Sequence, residues 1–421
     1  MDVLSKSSQP LGCCGLNFNI RLASHLFIYP SYLNVVMKNF WKVVRREFGI
    51  ICRKPVYVLG SVVMMAVCCL FYLTFFKAGL PEKLPIGVVD YDNSSLSRNF
   101  CSQLDATQLG KVVHFDSFSE ARDAMQIGEV ASLCVIPKDM AADVYANRRP
   151  TFTYYVNSLY MIAGALSYKD VLTMVTLTGG AVQREVFRAK GYAEGQIMGL
   201  IQPIVIDEHH IGNPMTSYSI YLNNIILPGL LCLSIVFVLI YALCSELRYG
   251  TSRELMETAG GSFATALLGK LTPYTVLYLI MGLLLDLLMY GVCKFPVAGS
   301  VGNMILLMLV FIIACEAVAV TIVGLVPVLR IALSIAALFT ILGFSFSGFT
   351  FPVEAMPRAI QGIAVLFPLR FYYLAYVQEA IYGTGLGDWW PYLVYLLLFL
   401  VGPLCVSGRL RRAWVNQNFD R

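Results

Sequence analysis

Long apolar runs alternate with shorter polar ones over most of the chain, and run length sets the first prediction. Six runs approach the roughly twenty residues that a helix needs to cross a bilayer: 56–76, 225–244, 273–293, 304–326, 331–349 and 392–406. The sixth is the shortest, and Trp389, Trp390 and Tyr392 stand at its start as interfacial anchors. Between the first two runs lies a polar insert, residues 77–221, with its own grammar. "IGVVDYD", "KVVHFDS", "EVASLCVIP" and "TFTYYVNS" read as strands, while "SSLSRNFCSQL", "SEARDAMQIG" and "DMAADVYANRR" read as helices between them. That alternation predicts an α/β module with a largely parallel or mixed sheet. Residues 159–201 then read as long helices, whose Lys169, Asp170, Arg184 and Glu185 argue against burial in lipid.

Composition agrees with the runs. Of 421 residues, 57% are hydrophobic and 14% charged, where a soluble chain carries about a quarter charged. The net charge of +5 matters by its placement. Lys38, Lys42, Arg45, Arg46, Arg53 and Lys54 precede the first run. Arg248, Arg253 and Lys270 lie between the second and third, Arg330 between the fourth and fifth, and Arg409, Arg411 and Arg412 after the sixth. The positive-inside rule assigns these groups to the cytoplasm, with both termini inside and the insert outside. The expected fold class is an α-helical integral membrane protein of six transmembrane helices. An extracytoplasmic α/β module with long helices sits between spans one and two, and a tail at 408–421 returns to the cytoplasm.

Residues 34–53 alternate basic and apolar positions at helical spacing, through Val35, Val36, Phe40, Val43, Val44, Phe48 and Ile51. A basic amphipathic helix beside a span belongs in the inner headgroup layer, so 37–55 is expected to be interfacial. Residues 1–36 lack this pattern and the order of a secretory signal. They are expected to be a disordered extension or an overextended gene start, with "MKNFWKVVRREF" from Met37 as the natural beginning.

Several chemistries can be weighed on residues alone. The nearest approach to a phosphate-binding loop, "GGSFATALLGKLT", holds Ala264 and Leu271 where that motif needs Gly and Ser or Thr. The chain is therefore expected to hydrolyse no ATP and to bind no cofactor itself. "IDEHH", residues 206–210, gathers metal-ligating types, but adjacent residues point different ways and H-E-x-x-H is absent; no metal site is expected. Most of the 12 cysteines lie in apolar runs or near the N-terminus. Cys101 and Cys134 fall in the insert and can pair if it lies outside the cytosol. Asp286 and Glu316 lie inside apolar runs, where ionisable groups usually face a cavity or a partner. Each is a candidate for substrate or ion contact, against a blander contact between helices or protomers.

The stretch "SELRYGTSRELMETAGG", residues 245–261, places charges between two apolar runs. Thr251 and Glu254 have the spacing of a capping box, Gly250 precedes them, and Gly260 and Gly261 supply a stop. A short helix over 251–259 is expected. Residues 347–383, "SGFTFPVEAMPRAIQGIAVLFPLRFYYLAYVQEAIYG", are amphipathic, proline-punctuated and rich in aromatics. They read as short helices that dip into the outer leaflet and turn back, covered by protein.

Together these stretches resemble the membrane subunit of a type-2 ATP-binding-cassette (ABC) exporter with a large extracytoplasmic insert. "VVDYDNSSLSRNF" is similar to the start of that family's insert. "ELRYGTSRELMET" is similar to its E-x-x-x-G-T-x-x-x-L loop, through Glu246, Gly250, Thr251 and Leu255. "LLGKLTPY" is similar to the start of its third span, through Gly269, Lys270 and Pro273. The external segment matches through Phe351, Pro352, Met356, Pro357 and Pro368. The resemblance implies a homodimer, or a pair with a related permease, each half bound to a separate ABC ATPase that carries ATP and Mg. It makes 251–259 a coupling helix seated in a groove of the ATPase. Glu246 and Arg253 would then meet the partner's charges, with Glu254 beside them, and Leu255 and Met256 would pack into the groove. It implies efflux across a bacterial inner membrane, with a periplasmic adaptor and outer-membrane channel as further partners and no nucleic acid. A membrane-anchored receptor or scaffold, and an ion-coupled carrier using Asp286 and Glu316, are the competing readings.

Overall fold

The computed structural model describes residues 16–146 and 148–416; for 16–33 and Met161 it describes the backbone alone. The chain divides into two compact units, one of residues 1–74 and 222–421 and the other of 75–221.

The first unit is helical. Its spans are Pro55–Phe75, Tyr218–Arg248, Phe263–Val292, Val301–Leu325, Leu329–Phe346 and Leu386–Asn416, numbered one to six here. Each overlaps one of the expected runs. Spans two and four form the centre, since 72% of their apolar window is buried against 22% or less in the others. Span four buries Phe311, Cys315, Ala319 and Val323 at successive turns, a stripe at the helical repeat. Spans one, three, five and six leave large apolar side chains such as Leu70, Leu284, Leu338 and Leu404 exposed. A face of that composition needs lipid or a second chain to cover it.

Ahead of span one runs a helix over Leu16–Arg53. The helix is continuous with the amphipathic stretch, and residues 1–15 of the expected N-terminal extension lie outside the described residues. Between spans five and six, the helices Arg358–Ala364 and Pro368–Tyr382 meet at a bend of 87°. Pro357 sits at the N-cap of the first and Pro368 in the first turn of the second. Proline favours those starts because the amide it lacks has no helical partner there.

The second unit holds a four-stranded sheet: β1 (Leu84–Asp90), β2 (Gly110–His114), β3 (Ser132–Ile136) and β4 (Thr153–Val156). The strand order is β2-β1-β3-β4, parallel except for the β3–β4 pair. Alternation along β1 sends Ile86 and Val88 to one face and Val89 to the other. On the first face they pack with Phe100, Leu104 and Val171 of the helices Ser95–Asp105 and Met161–Ala189. On the second face Val89 and Leu133 pack with Ala121 of Phe118–Gln126. Ser94 and Ser117 cap the two connecting helices, accepting from the amides of Ser97 and Glu120. The mixed α/β pattern read from the sequence is present as this small sheet. Cys101 and Cys134 share one core but are free thiols. Burial pushes the Cys101 thiol up to about 11 and raises that of Cys134 further.

Candidate functional site

The charged stretch after span two forms one short helix, Ser252–Thr258. Its end is a Schellman turn: the Gly261 amide donates to the Met256 carbonyl at 2.8 Å, and that of Gly260 to Glu257 at 2.9 Å. Both glycines have positive φ, 69° and 78° for Gly260 and Gly261, so the expected stop is real. The expected capping box is not formed. Thr251 stands at the N-cap with no side-chain cap bond. Its hydroxyl donates instead to the Glu246 carboxylate, and Glu254 receives Arg46 Nε at 3.5 Å. Both side chains thus turn to charged partners rather than to the helix amides that a capping box would satisfy.

Those partners belong to a buried ionic cluster. Lys270 of span three is 1% exposed and donates from Nζ to Glu47 at 2.7 Å and to Glu246 at 2.9 Å. Arg46 grips both oxygens of Glu246 at 2.9 and 3.2 Å and reaches Glu47 at 2.9 Å. Two cations thus face two fully buried carboxylates, an arrangement that is neutral in sum and costly to break from one side. Burial works against the charge on Arg46, but Glu246, Glu47 and Glu254 outweigh it and hold the guanidinium above its usual range. Glu47 Oε1 takes both cations while its Oε2 has no partner.

The cluster ties together the helix before span one, the end of span two and the start of span three. Packing reinforces the tie. A Cβ on Gly269 would lie 2.9 Å from Val43 Cβ and 3.3 Å from the Phe40 carbonyl oxygen, so glycine lets the N-terminal helix lie directly on span three. Ser252 Oγ donates to the Trp414 carbonyl at 2.8 Å, and the Trp414 ring rests 5.3 Å from that of Phe263. The end of span six is therefore anchored on the same helix.

Three residues singled out in the sequence face inward here. Leu255 and Met256, expected to enter a partner's groove, are buried in the chain's own core at 0% and 8% exposure. A two-turn helix has one apolar face, and here that face seats the helix on the spans. Glu246, expected to meet a partner's charges, is buried at 2% and engaged internally. Arg253, Glu254 and Glu257 remain exposed and form the outward face. Glu47 and Arg46 were not singled out in the sequence, where Arg46 counted only as one of a basic group. The available signal was a charge pair on the buried side of an amphipathic helix. Beside the cluster, a cavity of about 450 Å³ is lined by Arg45, Arg53, Lys54, Tyr249 and the cluster's own side chains. The Lys54 ammonium lies 4.9 Å from the centre of the Tyr249 ring.

The other candidates lie apart. No hydrogen bond or ion pair among the described residues links the cluster to Asp286 or Glu316. Glu316 accepts the Thr275 hydroxyl at 2.9 and 3.0 Å, a contact between spans four and three. Asp286 has neither oxygen partnered. In the bent segment Phe351 is 52% exposed, and the Met356 carbonyl receives the Gln361 amide at 2.8 Å. Sequence reasoning missed Glu379, which is 1% exposed in that segment. It accepts from Trp389 Nε1 at 2.6 Å, Asn303 Nδ2 at 3.0 Å and the Ser300 amide at 2.8 Å. It fastens the segment to the starts of spans four and six. Among the described residues His209 pairs with Asp207 and His210 with Glu208, on exposed chain. No cluster of metal-ligating side chains occurs among the described residues.

Comparison with known proteins returns no match among curated proteins. A family model does match, described as ABC-2 family transporter protein, over residues 56–409. Members of such permease families normally work with a partner ATPase subunit. The match takes in most or all of each of the six apolar helices, the ionic cluster's Glu246 and Lys270, and the bent segment. This multi-pass membrane protein therefore belongs to the ABC-2 transporter family.

Proposed function

We propose that the chain is the permease of an export system in which a separate ABC ATPase drives efflux of a hydrophobic or amphipathic substrate. The observation that carries this reading is the buried cluster of Arg46, Glu47, Glu246 and Lys270. It makes one rigid block of the N-terminal helix, the Ser252–Thr258 helix and the adjoining ends of spans two and three. A lever needs such a block, because a push on a compliant loop dissipates before it moves a span. The basic residues around it favour the cytoplasmic side for this face under the positive-inside rule. There Arg253, Glu254 and Glu257 offer the ATPase an exposed charged face. Closure of two ATPases around ATP and Mg would displace that face, and the block would pass the motion to spans two and three. Two copies of this chain, or this chain and a related permease, would cover the apolar faces left exposed on the outer spans. The insert would lie on the opposite side, where it is free to meet an adaptor and outer-membrane channel.

The test is co-purification of the tagged chain from its native membranes in mild detergent, beside Arg253→Glu. The native chain is expected to hold a subunit with ATPase activity, and the variant to lose it while keeping its insertion and oligomeric state. An intact oligomer that brings no ATPase would refute the exporter reading and favour a receptor or scaffold. Retention of the subunit by Arg253→Glu would refute the docking face.

A further inference from the structure

Asp286 ends the α-helical part of span three, and both its carboxylate oxygens are buried without a hydrogen-bond partner. The residue is 9% exposed, and no ion pair among the described residues reaches it. It lines a cavity of about 350 Å³ together with Leu283, Leu287, Tyr290, Val301, Met304 and Ile305. That volume lies within the range of small-molecule sites, which combine an apolar lining with a few placed polar groups. Glu316, the other acid within the spans, differs in having the Thr275 hydroxyl on both oxygens.

The local backbone explains the pocket. From Leu287 to Val292 the helix widens to a π-helix, a form concentrated at functional sites because it re-aims side chains. It brings Asp286, Tyr290 and Gly291 to one wall. The Tyr290 hydroxyl is hydrogen-bonded to that of Tyr376 and makes no bond to the Asp286 carboxylate. Leu284 and Leu287, on either side of Asp286, are 57% and 61% exposed. The pocket therefore lies beside a lipid-compatible surface.

A lone carboxylate in apolar surroundings stays charged only if a cation joins it. We infer that this cavity binds an amphipathic cation, with the charged nitrogen against Asp286 and the hydrocarbon along Leu283, Leu287, Val301 and Ile305. The assignment narrows the substrate class of the proposed export function and rests on that reading for its transport role. Binding itself needs no ATPase, so the two can fail separately.

The experiment is equilibrium binding of dodecyltrimethylammonium to the purified full-length chain in lipid nanodiscs, with the uncharged-overall dodecyldimethylamine N-oxide as the matched control. Asp286→Asn is expected to weaken binding of the cation at least tenfold and to leave the N-oxide unchanged, while Asp286→Glu retains most of the cation affinity. Met304→Trp, which fills the cavity without touching the charge, is expected to weaken both ligands. Unchanged cation binding by Asp286→Asn would overturn the proposal. So would an equal loss of both ligands in that variant, because the carboxylate would then only shape the pocket. If Asp286→Asn does not fold, retention of both ligands by a folded Met304→Trp protein would overturn it.

Discussion

Replacing Lys270 by Met removes the ammonium and keeps most of the side chain's length. In the native chain Nζ sits 2.7 and 2.9 Å from two carboxylates that are themselves 0% and 3% exposed at the side chain. At an effective dielectric of about 20, each contact is worth roughly 6 kcal/mol of attraction, most of which is offset by the cost of taking three charges out of water. Without Lys270, Arg46 alone would face Glu47 and Glu246, and a buried negative charge would remain. Breaking a buried pair from one side costs about 3–5 kcal/mol, so Lys270→Met should lose that much. Adding Glu47→Gln restores neutrality, since Arg46 and Glu246 keep their two-bond pairing, and should recover about 1–3 kcal/mol through the coupling expected of contacting residues. The assay is denaturant unfolding in mixed micelles, followed by tryptophan fluorescence, because Trp414 is fully buried beside this block. A single variant within about 1 kcal/mol of native stability, or a double variant weaker than the single, would refute the account of the cluster.

Gly269→Leu should separate the N-terminal helix from span three, costing about 1–3 kcal/mol of overpacking and releasing the ATPase in co-purification; Gly269→Ala should do the same more weakly. Thr251→Val deletes a hydroxyl donor to a buried carboxylate and should cost about 1.5–3 kcal/mol, read in the same unfolding assay, whereas Thr251→Ser should be near native. Glu379→Ala should strand Trp389 Nε1, Asn303 and the Ser300 amide, loosening the bent segment by about 1–3 kcal/mol for each group left unpaired; protease sensitivity within 347–383 checks it, and Glu379→Gln should be milder. Cys101, whose thiol burial pushes up to about 11, carries almost no thiolate below that pH. It should resist maleimide labelling at pH 8 and react once unfolded, while exposed Cys52 reacts in the native state. Mass spectrometry of labelled protein without reductant checks both this and the free state of Cys134.

The sequence by itself determined the class of the protein and the positions of its elements. Runs of some twenty apolar residues have one stable solution in a bilayer, a helix that satisfies its own backbone, so the six spans could be counted without coordinates. Alternating strand and helix patterns marked the insert's elements for the same local reason. Pro357, Pro368 and the pair Gly260–Gly261 marked breaks because their backbone limits travel with the residue. The tertiary structure alone decided what the side chains do. The capping box at Thr251 and Glu254 had the right spacing, but in the fold Thr251 turns to Glu246 and Glu254 to Arg46, some two hundred positions earlier. Leu255 and Met256 had the apolarity that a docking surface needs, and equally that of a face buried in its own chain; only the fold distinguishes the two. Glu47 and Lys270 are separated by an entire folded unit in the sequence, so no local pattern announces their pairing. Asp286 and Glu316 look alike as acids in apolar runs, yet Thr275 reaches Glu316 and no hydrogen-bond donor among the described residues reaches Asp286. Local rules place elements because backbone hydrogen bonding is local, while charge pairing and cavities depend on which faces meet, and that is a property of the whole fold.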